Sequence, residues 1–310
     1  MLLILFAFAA CTQQEWAEPS DEVTVTFSIT PEQAFGTRAT PDDQQQQVNR
    51  LVCAVYDIKG NLLKEFGDKD NENGQIVVEN FSANEGVSLP FRLVRGQEYK
   101  VAFWASRSDC EAYDTSDLSQ VKIDYTKMRC NDSKFDAFCK TEAFTVSSNE
   151  TKTVVLRRPF AQINVGISQS DYEALAESGK DITSSEITLG PVASILNVVD
   201  NSVSPASDNI ISEVAFEKAS IFSVQINDNG ETTEEKYKYL ALCYLLVADK
   251  NEGTSTYSSE LEKLQVTLYC GEESINFQLT DEGTKIPVSR NWSTNIFLTK
   301  ESLEKAIENK

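Results

Sequence analysis

"VTVTFSIT", residues Val23–Thr30, sets Val23, Val25, Phe27 and Ile29 in strict alternation with Thr24, Thr26, Ser28 and Thr30. A period of two puts successive side chains on opposite faces of an extended chain, so this stretch reads as a half-buried β-strand with one apolar face. The pattern recurs outward from it. "PEQAFGTRATPDDQQQQ" (31–47) carries two prolines and a glutamine run and reads as an exposed loop. "VNRLVCAVYDIKGNLLKEF" (48–66) predicts a strand, a Lys-Gly-Asn turn and a second strand. "QIVVENF" (75–81) predicts another, and "VSLPFRLVRGQEYKVAFWAS" (87–106) two more about Arg-Gly-Gln. Residues 109–140 are less regular, and "AFTVSSNETKTVVLR" (143–157) predicts a hairpin. Short strands punctuated this often by turn residues indicate an all-β sandwich.

The basic pair and proline of "RRPFAQINVGIS" (157–168) begin a second series, which places a boundary at Arg157 and Arg158. Two hairpins follow. One turns on Asp228-Asn-Gly and contains the apolar run "YLALCYLLVA" (239–248), a fully buried central strand; the other turns on "GEE" within "KLQVTLYCGEESINFQLT" (263–280). "WSTNIFLT" (292–299) is the last strand. Only "SDYEALAESG" (170–179) and "KESLEKAIENK" (300–310) have helical spacing, with Ser170 and Ser302 as expected N-caps. The expected organisation is a signal over 1–11, a linker over 12–21, and tandem β domains over 22–157 and 158–310, with few short helices.

The first eleven residues carry a separate message. Nine apolar residues, Leu2 to Ala10, run into Cys11. As a helix they would span about 14 Å, half of a hydrocarbon core, which fits a signal-peptide core rather than a membrane anchor. Small residues followed by a thiol resemble a bacterial lipoprotein signal, in which Cys11 is lipidated. Phe8 replaces the leucine usual in that pattern, and no basic residue precedes Arg38.

Composition narrows the chemistry. A net charge of −20 repels phosphate backbones and excludes nucleic acid as a partner. Histidine is absent, so Ser-His-Asp and Cys-His nucleophile systems and His-ligated zinc cannot be built from this chain alone. Neither a Gly-rich phosphate loop nor a GxSxG elbow occurs. No catalytic residue and no cofactor are expected. Beyond Cys11 there are six cysteines, Cys53, Cys110, Cys130, Cys139, Cys243 and Cys270; an even number outside the cytosol permits disulfides, and each is equally consistent with a small buried apolar residue. Asp68, Asp70, Glu72 and Glu79 fall at positions 1, 3, 5 and 12 of a calcium-loop spacing, but position 6 is Asn73 rather than Gly, and strands rather than helices flank the loop, so the segment reads as an acidic turn. Of the tryptophans that sugars would stack on, Trp104 lies in an alternating strand and reads as core, Trp16 lies in the linker, and Trp292 fits either role.

Four phrases together, "YDTSDLSQVKI" (113–123), "KFDAFCKTEAFTV" (134–146), "RRPFAQINVGIS" and "KIPVSRNWSTNIFLT" (285–299), resemble the fimbrillin-like lipoproteins of Bacteroidetes, relatives of the type V pilins. The resemblance covers most of residues 20–300. It implies two transthyretin-like β-sandwich domains, a lipid-anchored precursor at the outer membrane, and pilus assembly or adhesion by strand exchange with other pilin subunits. In that family a trypsin-like protease cuts after an arginine in the loop that follows the first strand. Here that arginine is Arg38 in "FGTRAT", and the new chain would begin at Ala39; Arg38 is equally an ordinary loop residue. Leu303, Ala306 and Ile307 follow helical rather than strand spacing, so a tip, anchor or accessory subunit is as well supported as a shaft subunit. The alternative from another class is a monomeric outer-membrane lipoprotein that binds surface glycans.

Overall fold

The computed structural model describes residues 21–32, 48–129, 132–204, 206–215, 221–228, 231–248, 259–280 and 285–308. In chain order the first half contains β1 (Glu22–Pro31), β2 (Arg50–Asp57), β3 (Ile76–Glu79), β4 (Val87–Val94), β5 (Glu98–Ser106), β6 (Tyr113–Asp114), β7 (Val121–Ile123), β8 (Phe138–Thr145) and β9 (Glu150–Leu156). The second half contains β10 (Phe160–Ser168), helix α1 (Gln169–Glu177), β11 (Ser184–Ala193), β12 (Ile195–Leu196), β13 (Ala206–Ala215), β14 (Ile221–Asp228), β15 (Glu231–Leu246), β16 (Ser259–Leu261), β17 (Lys263–Cys270), β18 (Glu273–Gln278), β19 (Ile286–Val288), β20 (Ser293–Leu298) and helix α2 (Lys300–Glu308). Among the described residues the fold is all-β with two short α-helices.

The alternation in β1 is realised as a β-sandwich. A three-stranded sheet in the order β4-β1-β9 faces a four-stranded sheet in the order β3-β2-β5-β8. Val23, Val25, Phe27 and Ile29 of β1 meet Leu51, Cys53, Val55, Val101 and Phe103 of the opposing sheet in one buried cluster. "AFTVSSNETKTVVLR" does not form the expected hairpin. β8 pairs with β5 and β9 pairs with β1, so the turn between them crosses from one sheet to the other. "LLKEF" also departs from expectation. It closes through a single bridge from Leu62 to Tyr56 and then tightens into a 3-10 turn over Lys64–Phe66 instead of extending as a strand. Just beyond it the chain passes close to itself, so that a Cβ on Gly67 would lie 2.3 Å from the backbone carbon of Gly74.

The irregular segment 109–140 has a structural purpose. With β12 it forms a small sheet in the order β12-β7-β6, and it covers the outer face of the four-stranded sheet. Val52, Ala54, Tyr56, Ala102 and Trp104 on that face are therefore buried too, which makes β2 apolar on both sides. This second core continues past Arg158 into the β10 to β20 region, where the large sheet runs β18-β17-β11-β15-β10-β20. β10 is buried from Phe160 to Ile167, the polar Gln162 and Asn164 included, and the Tyr239–Leu246 part of β15 is buried throughout, as its uninterrupted apolar run requires. The two later hairpins occur as read, β14 with β15 and β17 with β18.

Helix caps are shifted from expectation. Ser168, not Ser170, accepts the Asp171 N–H at 3.1 Å and caps α1. Thr299 caps α2 by accepting from the Ser302 N–H at 3.2 Å, while the Ser302 hydroxyl accepts from the Thr299 N–H at 3.1 Å, a reciprocal arrangement that satisfies two otherwise orphaned donors. The chain passes from β9 to β10 through Arg158. Its guanidinium donates three hydrogen bonds of 2.8–3.0 Å to Asp136 and lies over the Phe138 ring at 4.4 Å.

Candidate functional site

Among the described residues, the first strand fills the groove between β4 and β9. β1 runs antiparallel to β4, with Val25 opposite Phe91 and Phe27 opposite Leu89, and parallel to β9, with Val25 opposite Glu150 and Pro31 opposite Leu156. Being central, it satisfies a ladder on each side. Its departure would leave the facing amides and carbonyls of both β4 and β9 unpaired along an apolar trough. Phe27 is the anchor. It is fully buried and packs against Phe91, Phe103 and Phe144 with ring centroids 5.5–5.6 Å apart. The outward side chains are short: Thr24 is exposed, and Thr26 and Ser28 are half-buried.

Both ends of the strand are tethered by polar contacts. At the start, the Thr24 N–H donates to Asn149 Oδ1 at 2.8 Å. At the end, the Glu32 N–H donates to Leu156 O at 2.8 Å. The Glu32 carboxylate accepts from Asn291 Nδ2 at 2.7 Å and lies 3.7 Å from Arg157 Nε, linking the strand terminus to a loop of the second half. The β4 side of this end demands glycine. Gly86 has φ +70°, and a Cβ there would lie 2.5 Å from Ile29 O.

Cys11, Trp16, Arg38, Ala39 and Cys130 lie outside the described residues. Trp104 is fully buried, edge-on to Tyr113 at 5.3 Å and to Phe160 at 6.3 Å, and is core as read. Trp292 is half-buried and lines a cleft of ≈ 840 Å³ that opens between β8, β9 and the loops around residues 198–201 and 290–292. The acidic turn does not gather its carboxylates. Asp68 accepts the Val77 N–H at 3.1 Å, Glu79 pairs with Arg50 at 3.2 Å, and no group of three or more potential metal ligands occurs among the described residues. Cys53, Cys110, Cys139 and Cys243 are buried, and no disulfide links any of the described cysteines to another. Burial pushes the Cys53 thiol up strongly and the Cys110 thiol up to about 11.

The positions that sequence reasoning missed are Glu32, Asn201, Arg290 and Asn291. Asn201, Arg290 and Asn291 line the cleft from segments far apart in the chain, Glu32 lies just outside it on Asn291 and Arg157, and only Asn201 and Asn291 share a backbone peculiarity, a positive φ of 68° and 57°. No helix among the described residues is long and apolar enough to cross a membrane.

Among solved structures, a protein of Bacteroides thetaiotaomicron provisionally described as an adhesin superposes with a TM-score of 0.47 and 15% identity, over 91% of this chain and 93% of that one. A provisionally described polysaccharide-binding protein of the same organism gives 0.44 and 14% identity, over 89% of each chain. The fimbrial anchor protein Mfa2 of Porphyromonas gingivalis gives 0.43 and 12% identity, over 84% of this chain and 83% of that one. No curated protein matches the chain by sequence. The model of one family matches residues 17–307, and the chain therefore belongs to that family of unknown function, DUF6562.

Proposed function

We propose that this protein is a non-enzymatic cell-surface lipoprotein of the fimbrillin type, acting in adhesion and in pilus assembly with other pilin subunits. The reading divides the chain into sandwich units over 22–157 and 158–310, tethers the precursor to the outer membrane through lipid on Cys11, and releases β1 by cleavage between Arg38 and Ala39. The observation that supports it is β1 itself, a central strand with four buried apolar side chains that is followed directly by the segment containing Arg38. Once that segment is cut, β1 is held by non-covalent contacts alone, and a strand from a neighbouring subunit can satisfy the same two ladders and the same trough. Such a head-to-tail contact does not close on itself and yields a filament.

Intact-mass and N-terminal analysis of material sheared from native cells, beside the membrane fraction, tests the reading. A chain beginning at Ala39 in the sheared fraction is the expected result. A lipidated Cys11 start found only in membranes removes strand exchange by a shaft subunit and leaves an anchor or the second reading, a monomeric lipoprotein that binds surface glycans. That second reading draws its support from Trp292, whose half-buried ring lines the cleft.

A further inference from the structure

A strand at the rim of a sheet carries one row of backbone groups with no neighbour, and this chain guards its rims unevenly. Among the described residues, the edge strands of six or more residues are β4, β8, β9, β13, β14, β18 and β20. The first six each contain a proline or a charged residue, such as Pro90 in β4, Lys140 in β8, Lys152 in β9 and Glu273 in β18. Such residues discourage the addition of a further strand. β20, Ser293-Thr-Asn-Ile-Phe-Leu298, has neither.

β20 runs parallel to β10, with Gln162 opposite Ser293 and Asn164 opposite Asn295, and the Gln162 N–H donates to Trp292 O at 2.9 Å. That bond fixes the phase of the ladder. Trp292, Thr294 and Ile296 turn their backbone groups toward β10, and Ser293 and Asn295 turn theirs outward, where no backbone partner meets them among the described residues. Side chains lead to the same rim. Asn164, 1% exposed, donates through Nδ2 to Ser293 Oγ at 2.9 Å and to Asn295 Oδ1 at 2.8 Å, so a polar row runs from inside the sheet to its edge. Asn295 ends the row, and its own Nδ2 makes no hydrogen bond among the described residues. Two residues on, Phe297 is 39% exposed.

This edge is self-complementary about Asn295. A second, antiparallel β20 related by a two-fold axis through Asn295 sets Asn295 opposite its own copy and Ser293 opposite Phe297, which brings the outward backbone groups together in the hydrogen-bonded register. At the axis each Asn295 offers an unused Nδ2 donor and an Oδ1 with a second lone pair, so the two side chains bond reciprocally. The small Ser293 across from Phe297 leaves room for the exposed ring. Charge points to the same occupant. Two chains of −20 repel each other, and this uncharged strand places none of that charge at the contact. A two-fold contact closes at two copies.

We propose that the β20 edge is an interface between two copies of this chain, formed by antiparallel addition of β20 to β20 about Asn295. The inference goes beyond the adhesion and pilus reading and is independent of strand exchange at β1. Sedimentation velocity of the full chain from about 5 µM to about 0.5 mM tests it, since an interface built on one short edge belongs to the small, weak class. A monomer–dimer equilibrium with no larger species is the expected result. Asn295→Asp keeps the oxygen that accepts from Asn164, removes the Nδ2 donor and sets two carboxylates against each other at the axis. It is expected to raise the dimer dissociation constant about tenfold or more at an unchanged melting temperature. Phe297→Lys places a charge on the rim and is expected to act in the same direction. Thr153→Lys, at an exposed position of the β9 edge, is expected to leave the dimer intact. The proposal is overturned if the wild type stays monomeric up to about 0.5 mM, if neither β20 variant weakens the dimer, or if Thr153→Lys weakens it as much. Filaments from a cleaved chain that is monomeric before cleavage would overturn this interface and leave strand exchange standing. A β20 dimer that builds no filament after cleavage would support the interface and count against strand exchange.

Discussion

Truncating Phe27 measures how firmly the first strand is held. The ring is fully buried, and its contacts come from three directions: Phe91 on the neighbouring β4, Phe103 on the facing β5, and Phe144 on β8. Removing it opens a cavity walled by rings from both sheets, which cannot collapse without moving the ladders. Phe→Ala at such sites costs about 3–5 kcal/mol. At about 1.4 kcal/mol per decade, this raises the unfolded fraction roughly 10²- to 10⁴-fold. The same loss bears on strand retention. The four inward side chains of β1 together contribute about 6–12 kcal/mol of apolar burial, so Phe27→Ala removes a large share of what keeps a severed strand in place. Urea denaturation of the full chain is the first assay, with Thr24→Ala, whose side chain is exposed, as a control expected to stay within about 0.5 kcal/mol. The second assay cuts an engineered protease site between residues 33 and 47 and follows release of the β1 peptide, which should be faster in the variant by at least an order of magnitude. A Phe27→Ala loss below about 1.5 kcal/mol with an unchanged m-value would refute the placement of β1 at the centre of its sheet.

Further outcomes follow from other residues. Asp136→Asn removes the anionic partner of a fully buried guanidinium and should cost about 3–5 kcal/mol, whereas replacing both members of the pair, Asp136→Leu with Arg158→Met, should recover much of that in thermal unfolding. Gly86→Ala combines a left-handed φ with a 2.5 Å approach to Ile29 O and should destabilise the protein by about 1–3 kcal/mol, clearly more than Gly60→Ala, which has a positive φ but open space around it. Cys53 should resist Ellman's reagent at pH 8 until urea unfolds the chain, because burial both hides its thiol and pushes its ionisation up; rapid native labelling mapped to Cys53 would contradict this. The Ser116 hydroxyl and backbone N–H hold the Asp114 carboxyl below its usual range, so its stabilising contribution is present above about pH 4 and is lost as pH falls through the depressed value; Asp114→Asn should flatten that part of the stability profile against pH.

The parts of the fold that were legible are those whose packing is one-sided. β1 alternates because one face meets core and the other does not, and the run in β15 is continuous because both faces are covered. The covering of the outer face of β2 and β5 was not legible. Segment 109–140 has no strong period, since it packs through two short strands and 3-10 turns rather than one repeated face. The β8 to β9 connection misled for a related reason: two strands joined by a short turn look alike whether they pair with each other or with different sheets, and only the tertiary ladder decides. At the candidate site, β1 was identified by its pattern. Glu32 was not, because a lone glutamate in a polar loop carries no periodicity, and the partners that give it meaning, Arg157 and Asn291, lie in remote segments.

The parallel ladder between β1 and β9 also sets an order of assembly for the chain. The contact from Thr24 to Asn149 spans 125 positions, roughly twice the separation across the β1 to β4 ladder. Each doubling of a closed loop adds only about 0.6 kcal/mol of entropy cost, so the delay is kinetic more than thermodynamic. A strand that leads the chain must wait, with its apolar face uncovered, until the last strand of its own sheet has emerged. The facing sheet, in the order β3-β2-β5-β8, contains none of that waiting strand and can form while the seat of β1 is still vacant. A groove that forms before its occupant docks is already, during folding, a receptor for whichever strand arrives.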